Sequence, residues 1–197
     1  MKWKHLLLGS LTVGTIVSCN STKLVPVAIS AAVEGVTLKF DYTEDKTTHV
    51  VSVKVTRTSG KAIFTPLPGS AGLQLQRVRV DVYDETQALL GSVEHTMSGI
   101  INPIPLTGEE AGKPKTTEIA IPVDPVLPNV VEEYLNTSCL SAYVDPNRAP
   151  TDPVCPSAKV KYTFTGISMA DGSQANVIAI ANFQPTYSYQ IEGGEQQ

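Results

Sequence analysis

Apolar and polar residues alternate with a period of two along most of this chain, and the alternation predicts strands. Val36, Leu38, Phe40 and Tyr42 are separated by Thr37, Lys39 and Asp41, and Val51, Val53 and Val55 by Ser52 and Lys54. Side chains two residues apart share one face of a strand, so each run carries an apolar face and a polar one. The polar link Thr43 to Thr48 is too short for a parallel crossover, so these two strands are predicted to pair antiparallel. A third strand, Leu73 to Tyr83, changes phase: Leu73 and Leu75 are odd, whereas Val78, Val80 and Val82 are even. One extra residue near Gln76-Arg77, a β-bulge, restores a common facing. Asp84 to Gln87 turns the chain into a strand over Ala88 to Thr96, and Thr116 to Val123 supplies another.

Ten of the fourteen prolines fall between Pro103 and Pro156. Proline has no amide to donate to a ladder, so this stretch is predicted as loop and edge strand. It holds one short helix, opened by Asn129-Val130-Val131-Glu132, where Asn meets an orphan amide and Glu reaches back. Two turns, to about Asn136, would place Val130, Val131, Tyr134 and Leu135 on one face. Beyond the prolines the alternation returns in Val160, Tyr162 and Phe164. A turn follows at Ala170-Asp171-Gly172-Ser173, then Val177, Ala179, Ala181 and Phe183. Ile178 and Ile180 make this last strand apolar on both faces, which predicts a central or covered position. Tyr187, Tyr189 and Ile191 give a final short strand. Eight or nine strands with frequent turns predict an all-β, antiparallel β-sandwich with one short helix, spanning residues 24–192. Residues 193–197 are expected to be a disordered tail.

The first 18 residues follow another pattern. Met1 to His5 is basic, and Leu6 to Val17 is an apolar run of twelve residues, too short to span a bilayer. It ends in Ile16-Val17-Ser18-Cys19, which resembles the lipobox of bacterial lipoproteins. The resemblance implies a signal peptide over residues 1–18, cleavage before Cys19, lipidation of that cysteine, and a tether over 19–23. The expected location is the cell envelope, and the outer membrane if the source is a diderm bacterium. The hairpin Lys159 to Phe183 is similar to the closing hairpin of Ig-like domains in many bacterial lipoproteins, which implies an Ig-like architecture and assigns no functional residue. The antibody-type pattern differs, with a core Trp and cysteines on opposed strands.

Charge and cysteine content narrow the partners. After loss of Lys2 and Lys4, thirteen basic residues face nineteen acidic ones, and no basic stripe exists. Nucleic acid is therefore not an expected partner. Another envelope protein or a glycan is, besides the membrane reached through the lipid. Cys139 and Cys155 remain for an oxidising compartment and are expected to bridge. A redox pair is the alternative, but the C-x-x-C spacing and a neighbouring cation are missing.

Catalytic patterns are scarce, and no enzyme activity and no cofactor are expected. His49 and His95 sit at strand ends outside any H-E-x-x-H motif, and no G-x-S-x-G elbow or P-loop occurs. Acidic residues gather as Asp41, Glu44 and Asp45, as Asp81, Asp84 and Glu85, and as Asp145 and Asp152. None has EF-hand spacing, so solvated turn charges are expected, with calcium the alternative and no metal site assigned. Two loops are unusually apolar: Phe64 to Gly69, and Ile100 to Leu106 with Ile100, Ile101, Ile104 and Leu106. They either plug the open ends of the sandwich or form a partner-binding surface. The expected role is a non-catalytic binding or assembly module, with a carbohydrate- or ligand-binding module as the alternative and a hydrolase third.

Overall fold

A computed structural model describes residues 26–109, 111, 113, 115–121, 129–143 and 156–192. These form an all-β fold of ten strands and one helix: β1 (Ile29–Glu34), β2 (Thr37–Glu44), β3 (Val51–Thr58), β4 (Lys61–Pro66), β5 (Leu73–Tyr83), β6 (Leu89–Ile101), β7 (Thr117–Ala120), α1 (Asn129–Tyr143), β8 (Ala158–Ser168), β9 (Gln174–Phe183) and β10 (Thr186–Ile191). The strands make three sheets, ordered β1-β4-β7, β10-β2-β3 and β6-β5-β8-β9. Their apolar faces meet in one core that includes Leu38, Phe40, Phe64, Val80, Tyr162 and Phe164. Phe64 of the first sheet meets Phe164 of the four-stranded sheet edge-on, with centroids 4.9 Å apart. Burying one such ring is worth about 1.5–3 kcal/mol, before any edge-to-face contribution.

Strands β2 and β3 pair antiparallel, as their short link requires. The phase change in β5 is also present. Register shifts between Leu75 and Arg77 against both β6 and β8, and Gln76 has a partner on neither side. Leu75 lies between Gly99 of β6 and Gly166 of β8. A Cβ on Gly166 would fall 2.4 Å from the Gln74 carbonyl oxygen, so the bulge needs a glycine beside it.

Several expectations change. Strands β1 and β4 were not legible in the alternation, and β6 runs five residues past Thr96, to Ile101. Strand β10 pairs parallel to β2, so the pairing is not wholly antiparallel. Strand β9 is neither central nor covered: it ends the four-stranded sheet, with β1 running close beside it, and Ile178 and Ile180 are exposed. Their face is the outer one, where Ile178 lies opposite Thr163 and Ile180 opposite Lys161.

The helix is fifteen residues long rather than two turns. Val131, Leu135 and Cys139 recur every fourth residue and are fully buried, and this core contact carries the helix through its weak formers Asn136, Thr137 and Ser138. Tyr134 is exposed instead of sharing that face. Glu132 turns both oxygens to Arg57 of β3, at 2.5 and 2.7 Å. Tyr42 donates to the Asn136 side chain at 2.9 Å. Helix and β10-β2-β3 sheet are thus tied together by polar bonds as well as by the core.

Gly166→Ala is expected to lose about 1–3 kcal/mol of unfolding stability, because the crowded atom is backbone and cannot rotate away. Ile178→Ala, on the open face, is expected to stay within about 0.5 kcal/mol of the parent. Denaturant melts of the two variants check the contrast, and equal losses would contradict the described packing.

Candidate functional site: an apolar cleft at one end of the strands

The end of β6, the start of β5 and the β8–β9 turn lie at the same end of the four-stranded sheet, because Leu73 pairs with both Ile101 and Ser168. Three segments leaving these strands enclose an open cleft of about 360 Å³. It is lined by Gly69 to Gly72, Pro103 to Leu106, and Met169-Ala170. Backbone hydrogen bonds fix the segments to one another. The Gly69 amide donates to the Ile104 carbonyl at 2.8 Å, and the Met169 amide to the Gly72 carbonyl at 2.9 Å. Gly69 has φ +78° and faces Leu106, while a Cβ on Gly72 would fall 2.7 Å from the Met169 sulfur. Glycines here let loop and strand ends approach closely enough to form one wall.

The entering chain is part of this end. The Leu67 amide donates to Ala28 and the Ala71 amide to Pro26, at 2.8 and 3.0 Å. Ser70 is buried, and its hydroxyl accepts from the Ala28 amide and donates to the Ala71 carbonyl, both at 2.9 Å. The one side-chain hydroxyl of the lining is therefore committed to structure. None of the lining residues is ionisable. What the cleft offers chemically is shape and aliphatic surface.

The four residues singled out in the Ile100–Leu106 segment divide. Ile101 and Ile104 are buried and plug the end of the core, whereas Ile100 and Leu106 are exposed, Leu106 at 73 %. The second apolar segment divides likewise: Phe64 and Pro66 belong to β4, and Leu67 is exposed at 52 %. Sequence reading singled out both loops without bringing them together and missed Met169, which is 54 % exposed. The available signal was the β8–β9 turn, which had to end beside them once β5 paired with β8.

The other candidate residues lie elsewhere. His49 stands in the β2–β3 turn with φ 56°, its Nδ1 2.7 Å from Glu44 Oε1. Tyr189 donates to the second Glu44 oxygen. His95 is in mid-β6, paired with Val78, rather than at a strand end. The acidic groups are used within the fold. Asp41 takes Lys39 at 2.8 Å and Ser188 at 2.5 Å, and Asp45 takes the Thr47 and Thr48 amides. Asp84 takes Thr86 and the Ala88 amide, and Glu85 takes Ser157. Among the described residues no three His, Cys, Asp or Glu side chains are grouped to hold a metal ion. Cys139 is buried on α1. Cys19, Cys155, Asp145 and Asp152 lie outside the described residues, as do the signal, tether and tail.

Among the described residues Asp81 is the buried acid. Burial pushes its carboxyl up, but hydrogen bonds from Ser92 at 2.6 Å and Arg79 at 2.8 Å, together with the positive charges of Arg79 and Lys161, outweigh it and hold the pKa below the ordinary 3.8. Burial alone acts on Tyr162, whose phenol is pushed up to about 12.

No family model matches the chain, and no curated protein does. One solved structure, Northeast Structural Genomics Consortium target SoR45, aligns over 85 % of this chain and 92 % of its own at 13 % identity, with a TM-score of 0.31. So loose a superposition carries no argument about fold or role.

The Asp81 geometry sets an acid limit. A carboxyl whose folded pKa lies below its ordinary 3.8 stabilises the fold above that value and loses the contribution as pH falls through the folded pKa. Melting temperature is expected to be flat above about pH 5 and to fall below about pH 4, more shallowly in Asp81→Asn. Thermal melts from pH 6 to 2.5 check this; an equally steep fall in the variant would remove Asp81 from the account.

Proposed function

We propose that the protein is a bacterial envelope lipoprotein: exported, cleaved before Cys19, acylated there, and acting as a non-catalytic binding or assembly module with an Ig-like β-sandwich domain. In a diderm bacterium its place is the outer membrane. Cys139 and Cys155 form a structural bridge that ties α1 to the segment leading into β8. The all-β architecture is compatible with the sandwich. Among the described residues no helix is long and apolar enough to cross a membrane, and a lipid on Cys19 would supply the attachment.

The observation that carries a binding role is the cleft. Its lining has no ionisable group and its one side-chain hydroxyl is already used, while Leu106 and Met169 line it with exposed apolar surface and Leu67, two residues before the lining, is exposed as well. Contiguous exposed apolar surface of this kind marks a contact site. A sugar-binding module would present aromatic faces instead. Among the described Tyr and Phe rings, Tyr134 on α1 is the most open, at 40 % exposure, and it is not part of the cleft lining.

Cys19→Ala is expected to release the protein into the soluble fraction or to leave an unprocessed precursor, read by cell fractionation and immunoblotting. Membrane retention of a correctly cleaved, non-acylated variant would refute the anchor. The bridge has its own test: thiol titration of the native exported protein, denatured without reductant, is expected to find neither Cys139 nor Cys155. Two reactive thiols would reopen a redox or metal role for the pair.

A further inference from the structure

The chain enters the described domain at the cleft. Pro26 accepts the Ala71 amide and Ala28 accepts that of Leu67, so residues 26–28 run along the same turn that forms one wall. Cys19 is seven residues before Pro26. Seven residues reach at most about 25 Å even when fully extended. A lipid on Cys19 therefore keeps this end of the domain within a short distance of the bilayer, while the opposite strand ends point away. The end so held carries the exposed apolar side chains Leu67, Leu106 and Met169, together with the exposed prolines Pro68, Pro103 and Pro105. Residues 62–76 and 96–108 contain no charged residue. The exposed Asp171 is the one charge of the β8–β9 turn, and its carboxylate accepts from the amide and hydroxyl of Ser173.

We infer that this apolar end is a membrane-docking surface: Leu67, Leu106 and Met169 insert into the interface of the bilayer that carries the Cys19 lipid. The inference rests on the lipoprotein reading above and names the partner of the cleft surface. An anchor alone leaves a domain free to tumble on its tether. A second, apolar contact at the same end fixes its orientation, with the strands standing away from the lipid and the outer face of β9 turned to the aqueous side. Because the contact contains no Lys or Arg, apolar burial drives it, and lipid charge does not.

The test uses the mature acylated protein reconstituted through its own lipid into phosphatidylcholine vesicles. Trp3 is the only tryptophan and is removed with the signal peptide, so an introduced indole reports alone. Leu106→Trp and Met169→Trp place it at exposed positions of the cleft rim, and Ile180→Trp places it on the outer face of β9, six residues along the strand from Gln174. Lipids brominated in the upper acyl chain are expected to quench the first two at least twofold and to leave the third nearly unchanged, equally with and without anionic lipid. Intact mass reports acylation in the same samples. An acylated protein whose rim indoles are unquenched, or quenched no more than the Ile180→Trp indole, overturns the docking surface and leaves the anchor standing. A requirement for anionic lipid overturns apolar insertion. Absence of the acyl mass overturns the anchor and the docking surface together.

Discussion

One unpaired residue in β5, Gln76, sets the facing of everything on either side of it. Side chains on a strand alternate, so Leu73 and Leu75 would point outward if Val78, Val80 and Val82 pointed inward without interruption. The register shift at Gln76 turns both groups toward the core, and all five side chains are buried. Strand β5 pairs on both sides, so the irregularity must be absorbed by both neighbours. Gly99 and Gly166 flank Leu75, and the Gly166 site leaves no room for a methyl group beside the Gln74 carbonyl. The cleft depends on this correction. Leu73 pairs with Ile101 and Ser168 just beyond the bulge, and that level brings the three cleft-forming segments together.

The rest of the molecule is held by polar ties where the apolar faces run out. Arg57 and Glu132 join β3 to α1, Tyr42 reaches Asn136, and Tyr189 reaches Glu44 across the β10–β2 pair. Exposed ion pairs contribute little individually, typically under about 1 kcal/mol. Their value here is directional, since they fix where α1 and β10 settle on a core that would accept apolar surface from several angles. Asp45 and Asp84 act more locally, each accepting amides or a hydroxyl within its own turn.

What was legible in the sequence follows the amplitude of its pattern. Strands β2, β3, β5 and β8 alternate large apolar with polar residues, the bulge in β5 showed as a parity change, and β9 was legible as an apolar run after a turn. Strand β1 reads Ile-Ser-Ala-Ala-Val-Glu and is buried only by halves, so its small residues give almost no contrast. Strand β4 mixes Lys, Ala, Ile, Phe and Thr and ends in a proline. The opening of α1 was readable at Asn129. Its end was not, because Asn136, Thr137 and Ser138 have poor intrinsic propensity and the burial of Cys139 decides the matter. Ile178 and Ile180 misled in the other direction: apolar character on both faces suggested a covered strand, whereas β9 lies at an edge and leaves them open. Half of the cleft was visible as two apolar loops. Their convergence, and the part played by Met169, depend on pairings between strands far apart in sequence, which no local pattern carries.

The parallel pairing of β10 with β2 has a consequence in time. Strand β2 lies near the start of the described chain and β10 at its end, with Thr186 aligned to Lys39. A polypeptide is delivered from its N-terminus, so the edge of β2 that β10 covers must wait with open amides and carbonyls until the described elements between them have arrived. Contacts of such long sequence separation form slowly. For that interval the nascent domain presents an adhesive strand edge to its surroundings. Strand β10, the last of the described strands to be delivered, closes it.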